Sequence, residues 1–115
     1  MSVVILPKIR SQLLRDSANG MPCALRLPGI CNHNSETTVL AHLPGIGKSM
    51  ASKVSDIHGA FACSACHDAI DRRTYEKRGL TDAIVLDAML RGHGETQAWW
   101  VKLDLLTVKN ALVTK

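Results

Sequence analysis

The stretch from residue 62 to residue 71 reads Ala-Cys-Ser-Ala-Cys-His-Asp-Ala-Ile-Asp, and it decides how the rest of the chain can be interpreted. Its cysteines, Cys63 and Cys66, have the C-x2-C spacing, whose turn brings two sulfurs to one side. A second pair, Cys23 and Cys31, lies upstream. Zinc takes four such ligands in a tetrahedral arrangement, at about 2.3 Å. We therefore predict that the four cysteines bind one structural zinc ion.

The short length of the chain favours a structural metal site of this kind. Its 115 residues, 3% of them aromatic, indicate a single domain over residues 1–115 with a thin core. Structural zinc contributes on the order of 10 kcal/mol to the folding of small peptides. Two alternatives stay open for the cysteines: some are buried as small apolar side chains, or Cys63 and Cys66 form a redox dithiol.

The sequence predicts a cytoplasmic protein. The apolar run at residues 3–6 is too short for a signal-peptide core, and Pro7 follows it. In a reducing compartment, four cysteines indicate metal binding more than disulfides. No run approaches the roughly 20 apolar residues that cross a bilayer, so we expect no membrane association.

The charge of the chain favours polyanionic partners without being decisive. Basic residues outnumber acidic ones by 14 to 10, a net charge of +4. They concentrate in two groups, Lys8, Arg10, Arg15 and Arg26 in the first quarter and Arg72, Arg73, Lys77 and Arg78 further on. The alternative is that both groups are simply solvated faces.

The hydrophobic pattern predicts an α+β domain. A short basic helix is expected over residues 8–17, two extended arms over residues 21–31, and a strand over the β-branched residues 37–43. The second half is helical in pattern, with helices predicted over residues 64–77, 80–91 and 95–103 and an extended tail at residues 105–108.

Several single residues define the ends of these helices. Ser64 and Thr81 are the predicted N-caps of the first two. The break before the last helix is assigned to Gly92-His93-Gly94, because glycine is a poor helix former. The pair Trp99-Trp100 is expected to anchor the last helix, with one ring packed inward.

Two histidines are candidates for chemistry. His67 follows Cys66 directly and forms an i, i+4 pair with Asp71, so an imidazole and a carboxylate share one helical face and can hold a divalent ion. The alternative is an ordinary surface pair. His42 ends the predicted strand and is a general base if a water molecule lies within hydrogen-bonding reach. The alternative there is a structural histidine.

Residues 43–51 read Leu-Pro-Gly-Ile-Gly-Lys-Ser-Met-Ala and allow two interpretations. They form either a glycine loop over the site or the hairpin of a helix-hairpin-helix element, whose backbone N–H groups face a phosphate. The preceding β-branched run is a poor first helix, which favours the loop. Either arrangement brings Lys48 and Lys53 close to a nucleic-acid backbone.

Together these elements resemble the HNH (ββα-metal) endonuclease motif: a cysteine pair, a strand ending in His42, a second cysteine pair and a helix carrying His67. More narrowly, the phrases at residues 26–32, 37–43 and 62–71 are similar to the small prophage-encoded nucleases of the YbcO type. The resemblance implies a ββα-metal, treble-clef-like core stapled by zinc. It spans about residues 21–78, with additional C-terminal helices over residues 80–115.

The resemblance also implies roles for individual residues. His42 would be the general base that activates water. His67 and Asp71 would hold a catalytic Mg²⁺ or another divalent cation, which binds the scissile phosphate. Arg72 and Arg73, just beyond, would contact neighbouring phosphates.

The chain departs from the HNH pattern at two places. Ala41 stands where many HNH enzymes place a metal-binding Asp or His. The middle Asn, which orients the base, falls at or near His58, which makes His58 a catalytic candidate. Nearby Asp56 is the carboxylate that would serve the divalent ion instead.

Three functional hypotheses follow. The main one is a metal-dependent endonuclease of phage or prophage type that hydrolyses DNA phosphodiester bonds, with a second copy of the chain or a phage recombination or replication protein as a further partner. The second is a catalytically silent zinc module that binds nucleic acid or a protein, and Ala41 favours it. The third is a purely structural zinc protein, for which DNA binding would be absent, or weak and insensitive to salt.

Overall fold

The computed structural model describes residues 7–44 and 55–115 of the chain. Within these residues the protein is α+β, as predicted. The elements in chain order are helix α1 (Gln12–Asp16), strands β1 (Val39–His42) and β2 (Gly59–Ala62), and helices α2 (Ser64–Arg72) and α3 (Asp82–Lys102). Short 3-10 turns lie at Ser35–Thr37 and Thr74–Arg78.

The two strands pair antiparallel, with Val39 opposite Ala62 and His42 opposite Gly59. The strand predicted over residues 37–43 is thus present as β1, but it spans only Val39–His42, since Thr37 belongs to a 3-10 turn. Strand β2, which has no β-branched residue, is buried along its whole length, so packing rather than propensity makes it a strand. Gly59 is required in this register, because a Cβ there would lie 2.9 Å from the Ala41 carbonyl oxygen.

The single helix predicted over residues 64–77 is wrong, because the structure divides it. Cys63, not Ser64, is the N-cap of α2. At the other end Arg73 adopts a left-handed conformation (φ 56°), which ends the helix and starts the 3-10 turn. The change of direction buries Tyr75, which is 6% exposed, and this burial outweighs the helical propensity of the segment.

The predicted helix break at Gly92-His93-Gly94 is also wrong, because α3 runs through it without interruption. Gly92 faces the core, where a Cβ would lie 3.0 Å from Leu25 Cδ2 and 3.1 Å from the Ala24 carbonyl oxygen. The glycine therefore allows a close approach of helix and chain. The helix continues because this packing stabilises the fold by more than the roughly 1 kcal/mol that each glycine costs a helix.

The two extended arms predicted over residues 21–31 are not strands. The segment turns instead, and the amides of Ile30 and Cys31 both bond the Leu27 carbonyl oxygen, at 3.1 and 3.0 Å. Leu25 and Leu27 are fully buried. Tight turns that place cysteines inward replace strand pairing here.

Helix α3 closes the core on the side of β2. Trp100 is fully buried, as expected for one ring of the tryptophan pair, and its ring lies edge-on to Phe61 with centroids 6.3 Å apart. The Trp100 indole N–H donates to the Ser17 hydroxyl at 2.8 Å. The predicted extended tail begins by folding back, since the Leu105 amide bonds the Trp100 carbonyl oxygen at 2.8 Å.

Lys48, Lys53 and both interpretations of the glycine-rich stretch lie outside the described residues. Among the residues that are described, no helix is both long and apolar enough to cross a membrane.

Candidate metal centre and histidine site

The four cysteines converge, as predicted. The Sγ atoms of Cys23, Cys31, Cys63 and Cys66 all lie within 4.8 Å of one another. Two come from the turning segment over residues 21–31, one links β2 to α2, and one lies in the first turn of α2. Three are buried and Cys31 is half-buried. The arrangement is a four-sulfur site able to hold a metal ion.

Backbone amides point at the sulfurs. The amide of Arg26 lies 3.4 Å from Cys23 Sγ, and that of Leu27 lies 3.4 Å from Cys66 Sγ. Cys63 Sγ accepts from the amide of Cys66, at 3.4 Å. N–H donors stabilise thiolate over thiol, and thiolate is the form that binds metal. The donor set therefore fits a soft divalent ion.

The cysteine pKa values reflect this environment. The pKa of Cys23 is lowered to about 4 because the Cys66 thiol donates to its sulfur, with further donation from the Arg26 amide against the effect of burial. Burial is the main reason that the pKa of Cys31 rises to about 11. The pKa values of Cys23 and Cys31 thus move in opposite directions, and a bound divalent cation would favour the thiolate form of both.

A second group of residues surrounds the end of β1. His42 Nε2 lies 2.8 Å from Asp56 Oδ1, and the Ser11 amide donates to Asp56 Oδ2 at 2.7 Å. The guanidinium groups of Arg10 and Arg15 lie 3.9 and 3.6 Å from the same carboxylate. The side chain of Asp56 is only 1% exposed, whereas that of His42 is 39% exposed.

This carboxylate is held in its charged form. Burial opposes ionisation, but the Ser11 amide, the His42 ring and Arg15 outweigh it, so the pKa of Asp56 is lowered. A carboxylate accepts from His42 Nε2–H, which leaves Nδ1 of the ring as the acceptor. The arrangement is a half-exposed histidine with a fixed tautomer, backed by a buried anion.

His58 lies beside this pair, and α3 contributes a further histidine. The rings of His58 and His93 are edge to face, with centroids 5.4 Å apart. Burial, then the nearby His93 and His42, lowers the pKa of His58. His93 gave no signal in the sequence beyond its place between two glycines. Its partner, the Gly59 carbonyl oxygen, is 34 residues away.

His67 and Asp71 meet on α2, where Nε2 and Oδ2 lie 3.0 Å apart on a half-exposed face. Within residues 7–44 and 55–115, the four cysteines are the one group of three or more metal-ligating side chains that comes together. A cation at His67 and Asp71 would therefore need water for its remaining ligands. The catalytic roles of His42, His58, His67, Asp71 and Asp56 stay predictions.

The two predicted phosphate-binding arginines at the end of α2 are paired with acidic side chains. Arg72 Nε lies 3.0 Å from Asp68, and an Arg73 Nη atom lies 3.3 Å from Glu76 and 3.4 Å from Asp82. Arg72 is nevertheless 75% exposed. Exposed ion pairs of this kind are weak and can exchange partners, so the predicted phosphate role stays a prediction.

Comparison with known proteins identifies relatives that share most of the chain. A solved structure titled "Structure of a putative bacteriophage protein from Escherichia coli str. K-12 substr. MG1655" superimposes with a TM-score of 0.64, at 38% identity, over 80% of this chain and all of that one. Two curated proteins, "Putative nuclease YbcO" of Escherichia coli (strain K12) and "Putative nuclease ybcO" of Enterobacteria phage 82, are each 44% identical over 91 residues. That alignment covers 77% of this chain and 91% of theirs.

The family profile described as "Putative nuclease YbcO" matches residues 12–105, which include all four cysteines and every described residue of the histidine site except Arg10 and Ser11. The chain therefore belongs to the YbcO family.

Proposed function

We propose that this protein is a metal-dependent endonuclease of the HNH (ββα-metal) type, which hydrolyses DNA phosphodiester bonds. The observation that carries the proposal is the contact between His42 and the buried Asp56 at 2.8 Å. The names of the relatives, which describe nucleases of a bacterium and a phage, support a nucleic-acid substrate and a prophage setting. The antiparallel strands followed directly by α2 are the order that a ββα-metal core requires.

His42 would act as the general base. Nδ1 takes a proton from water, the new O–P bond forms, and the bond from phosphorus to the leaving ester oxygen breaks, after which that oxygen takes a proton from solvent. Asp56 keeps the ring in the required tautomer and stabilises the imidazolium that results. Its oxygens are already engaged by His42 and the Ser11 amide, which favours this orienting role over the predicted role as a metal ligand.

His58 would contact the substrate beside the base. Its lowered pKa favours a neutral ring near pH 7, which can donate a hydrogen bond to a phosphate oxygen without repelling the imidazolium of His42. Lys48, Lys53, Arg72 and Arg73 are proposed to contact the flanking backbone, where they position the DNA without reading its sequence.

His67 and Asp71 would hold the catalytic divalent cation, with water as the other ligands, as is common for Mg²⁺. When bound, this cation supplies electrostatic stabilisation of the phosphate and of the leaving oxygen. The four cysteines would hold a separate zinc ion, because four converging thiolates are the ligand set typical of structural zinc. Zinc at that site would keep the first turn of α2, and thus His67, in place.

The test is incubation of purified protein with supercoiled plasmid in the presence of Mg²⁺, Mn²⁺ or Ni²⁺. We expect nicking that depends on the metal and falls about 10²-fold or more in His42→Ala. The control is Leu112→Ala, since Leu112 is 85% exposed in the C-terminal tail, and it should nick at the wild-type rate. Full activity of His42→Ala would remove His42 as the base.

A silent zinc module is the second candidate, favoured by one observation. Ala41, fully buried on β1, offers no ligand at the position where many HNH enzymes bind metal. Salt-sensitive DNA binding without nicking in any of the three metals would support this candidate over the nuclease.

A further inference from the structure

Two arginines flank the single carboxylate that holds His42. Arg10 and Arg15 lie 3.9 and 3.6 Å from the Asp56 carboxylate, whereas charge-assisted hydrogen bonds are usually about 2.7–2.9 Å long. Arg26 and Glu95 form bonds of that length, because two guanidinium nitrogens of Arg26 lie 2.8 and 2.6 Å from the two carboxylate oxygens of Glu95.

The arginines are held at this place by the backbone. The Asp56 amide bonds the Ile9 carbonyl oxygen at 2.9 Å, and the Ile9 amide bonds the Ser55 hydroxyl at 2.9 Å. With the Ser11 amide on Asp56, these bonds fix the chain on both sides of Arg10. Arg15 follows one helical turn later. The two cations are therefore part of the histidine site rather than of a loose terminus.

Burial separates the roles of the charges. The Asp56 side chain is 1% exposed, while those of Arg10 and Arg15 are 44% and 46% exposed. An anion that approaches the half-exposed His42 thus meets guanidinium groups before it meets the carboxylate. Asp56 already accepts hydrogen bonds from His42 and from the Ser11 amide. Each of its carboxylate oxygens therefore has a hydrogen-bond donor without the two arginines.

We propose that Arg10 and Arg15 bind the phosphodiester backbone of the nucleic acid at His42 and so bring the scissile phosphate to the base. Guanidinium forks suit this ligand, because they match pairs of phosphate oxygens. The cations also provide positive charge near the position where Ala41 provides no metal ligand. The inference rests on the proposed function, since it takes His42 as the base.

The experiment measures binding of the full-length, zinc-loaded His42→Ala protein to a short fluorescein-labelled DNA duplex, without divalent cations other than the bound zinc, over a series of NaCl concentrations. Replacing both arginines, Arg10→Gln with Arg15→Gln, should weaken binding about tenfold or more and reduce the slope of log K against log[NaCl] by about 2, one for each lost phosphate contact. The matched control is Lys109→Gln with Lys115→Gln, which removes the same charge from exposed tail residues and should leave the slope nearly unchanged.

A second pair of variants guards against simple unfolding. Arg10→Lys with Arg15→Lys keeps both charges and should keep the salt slope, while losing the bidentate geometry and part of the affinity. Zinc content and far-ultraviolet circular dichroism identify any variant that does not fold. If the double glutamine variant does not fold, the single variants Arg10→Gln and Arg15→Gln take its place, and each should reduce the slope by about 1. If the protein with Arg10→Gln and Arg15→Gln matches the tail control in both DNA affinity and salt slope, the inference is contradicted.

The two proposals fail in different ways. Wild-type protein that nicks no plasmid, but whose DNA binding depends on both arginines, contradicts the nuclease and supports the phosphate site. Wild-type protein that nicks plasmid, with affinity and slope indifferent to both arginines, contradicts the phosphate site alone. In an active enzyme we also expect the glutamine variants to raise KM more than they lower kcat, because the arginines act on binding.

Discussion

His93 Nδ1 lies 2.8 Å from the Gly59 carbonyl oxygen, so helix α3 is hydrogen-bonded to the first residue of β2. A carbonyl can only accept, so Nδ1 carries a proton, and Nε2 lies 3.1 Å from the Gln97 side-chain amide nitrogen. Gly59 in turn lies opposite His42 in the sheet. The C-terminal helix is therefore part of the histidine site and not an appendage to it.

The first prediction concerns the pH dependence of His58. Burial, assisted by His93 and His42, puts the pKa of His58 below its ordinary value of 6.5. The unfolded chain then binds more protons than the folded one between the two values, so the free energy of unfolding should fall as the pH drops from above 6.5 through this window. Urea unfolding at a series of pH values measures it.

The control for this prediction is His58→Gln, which cannot titrate and should show a smaller fall over the same pH range. Imidazole NMR gives the pKa of His58 directly. In the His93→Gln variant the pKa of His58 should move back toward 6.5, because His93 is one of the groups that lower it. A His58 pKa at or above 6.5 in the wild-type protein contradicts the prediction.

The second prediction compares two glycines of α3. Gly92→Ala should destabilise the fold by about 1–3 kcal/mol, the usual cost of overpacking, because the new Cβ lies 3.0–3.1 Å from Leu25 and the Ala24 backbone. Gly94→Ala meets open space and should stabilise the helix by up to about 1 kcal/mol. Urea denaturation of both variants measures the difference, and a Gly92→Ala protein as stable as Gly94→Ala contradicts it.

The third prediction tests the cysteine centre. Cys63→Ser should abolish metal binding and unfold the protein, because it removes one of the four converging sulfurs, whereas serine can still cap α2. Ala65→Ser, two residues away, is the matched control and should keep both metal and fold. Metal analysis by mass spectrometry and circular dichroism measure the two properties. A folded, metal-free Cys63→Ser protein is the result that excludes the centre as a structural staple.

The fourth prediction concerns Asp56. Asp56→Asn keeps the size of the side chain and an acceptor for the Ser11 amide, but it removes the charge that supports protonated His42. Plasmid nicking should therefore fall about 10²-fold or more, and the free energy of unfolding should drop by about 1.5–3 kcal/mol, the range for hydrogen bonds to charged groups. Asp104→Asn is the control, at a position with φ 59° that suits asparagine.

DNA binding separates the two roles of Asp56. If the carboxylate only orients the base, Asp56→Asn should bind the duplex at least as tightly as the wild type, since a negative charge has been removed. Cleavage at the wild-type rate would mean that His42 does not depend on this carboxylate.

The parts of the site that could be predicted from the sequence are those whose signal is local. The spacing of Cys63 and Cys66, the i, i+4 pair of His67 and Asp71, and the β-branched run that ends in His42 each require only a few neighbouring residues. The convergence of all four cysteines could be predicted because zinc chemistry constrains ligand number, not because the turns of residues 21–31 were recognised.

The parts that could not be predicted depend on packing between distant segments. The helix break assigned to Gly92 fails because its missing side chain makes room for Ala24 and Leu25, a reason that no local propensity contains. The bond between the Ser11 amide and Asp56 spans 45 residues, and Arg10 and Arg15 appeared in the sequence only as members of a basic group. Strand β2 was missed because alanine and glycine carry little strand propensity.

The contacts around His42 have a consequence for how the protein can diverge. His42 bonds Asp56 at 2.8 Å, and the Leu43 amide bonds the His58 carbonyl oxygen at 3.2 Å. Both ends of the stretch over residues 44–55 are thus joined by bonds that lie outside it, and Asp56 is further anchored by Ile9 and Ser11. Insertions, deletions and substitutions between these anchors would therefore leave the contact of His42 with Asp56 in place. If His42 is the base, as proposed, the sequence between the anchors can diverge without moving the base away from its carboxylate.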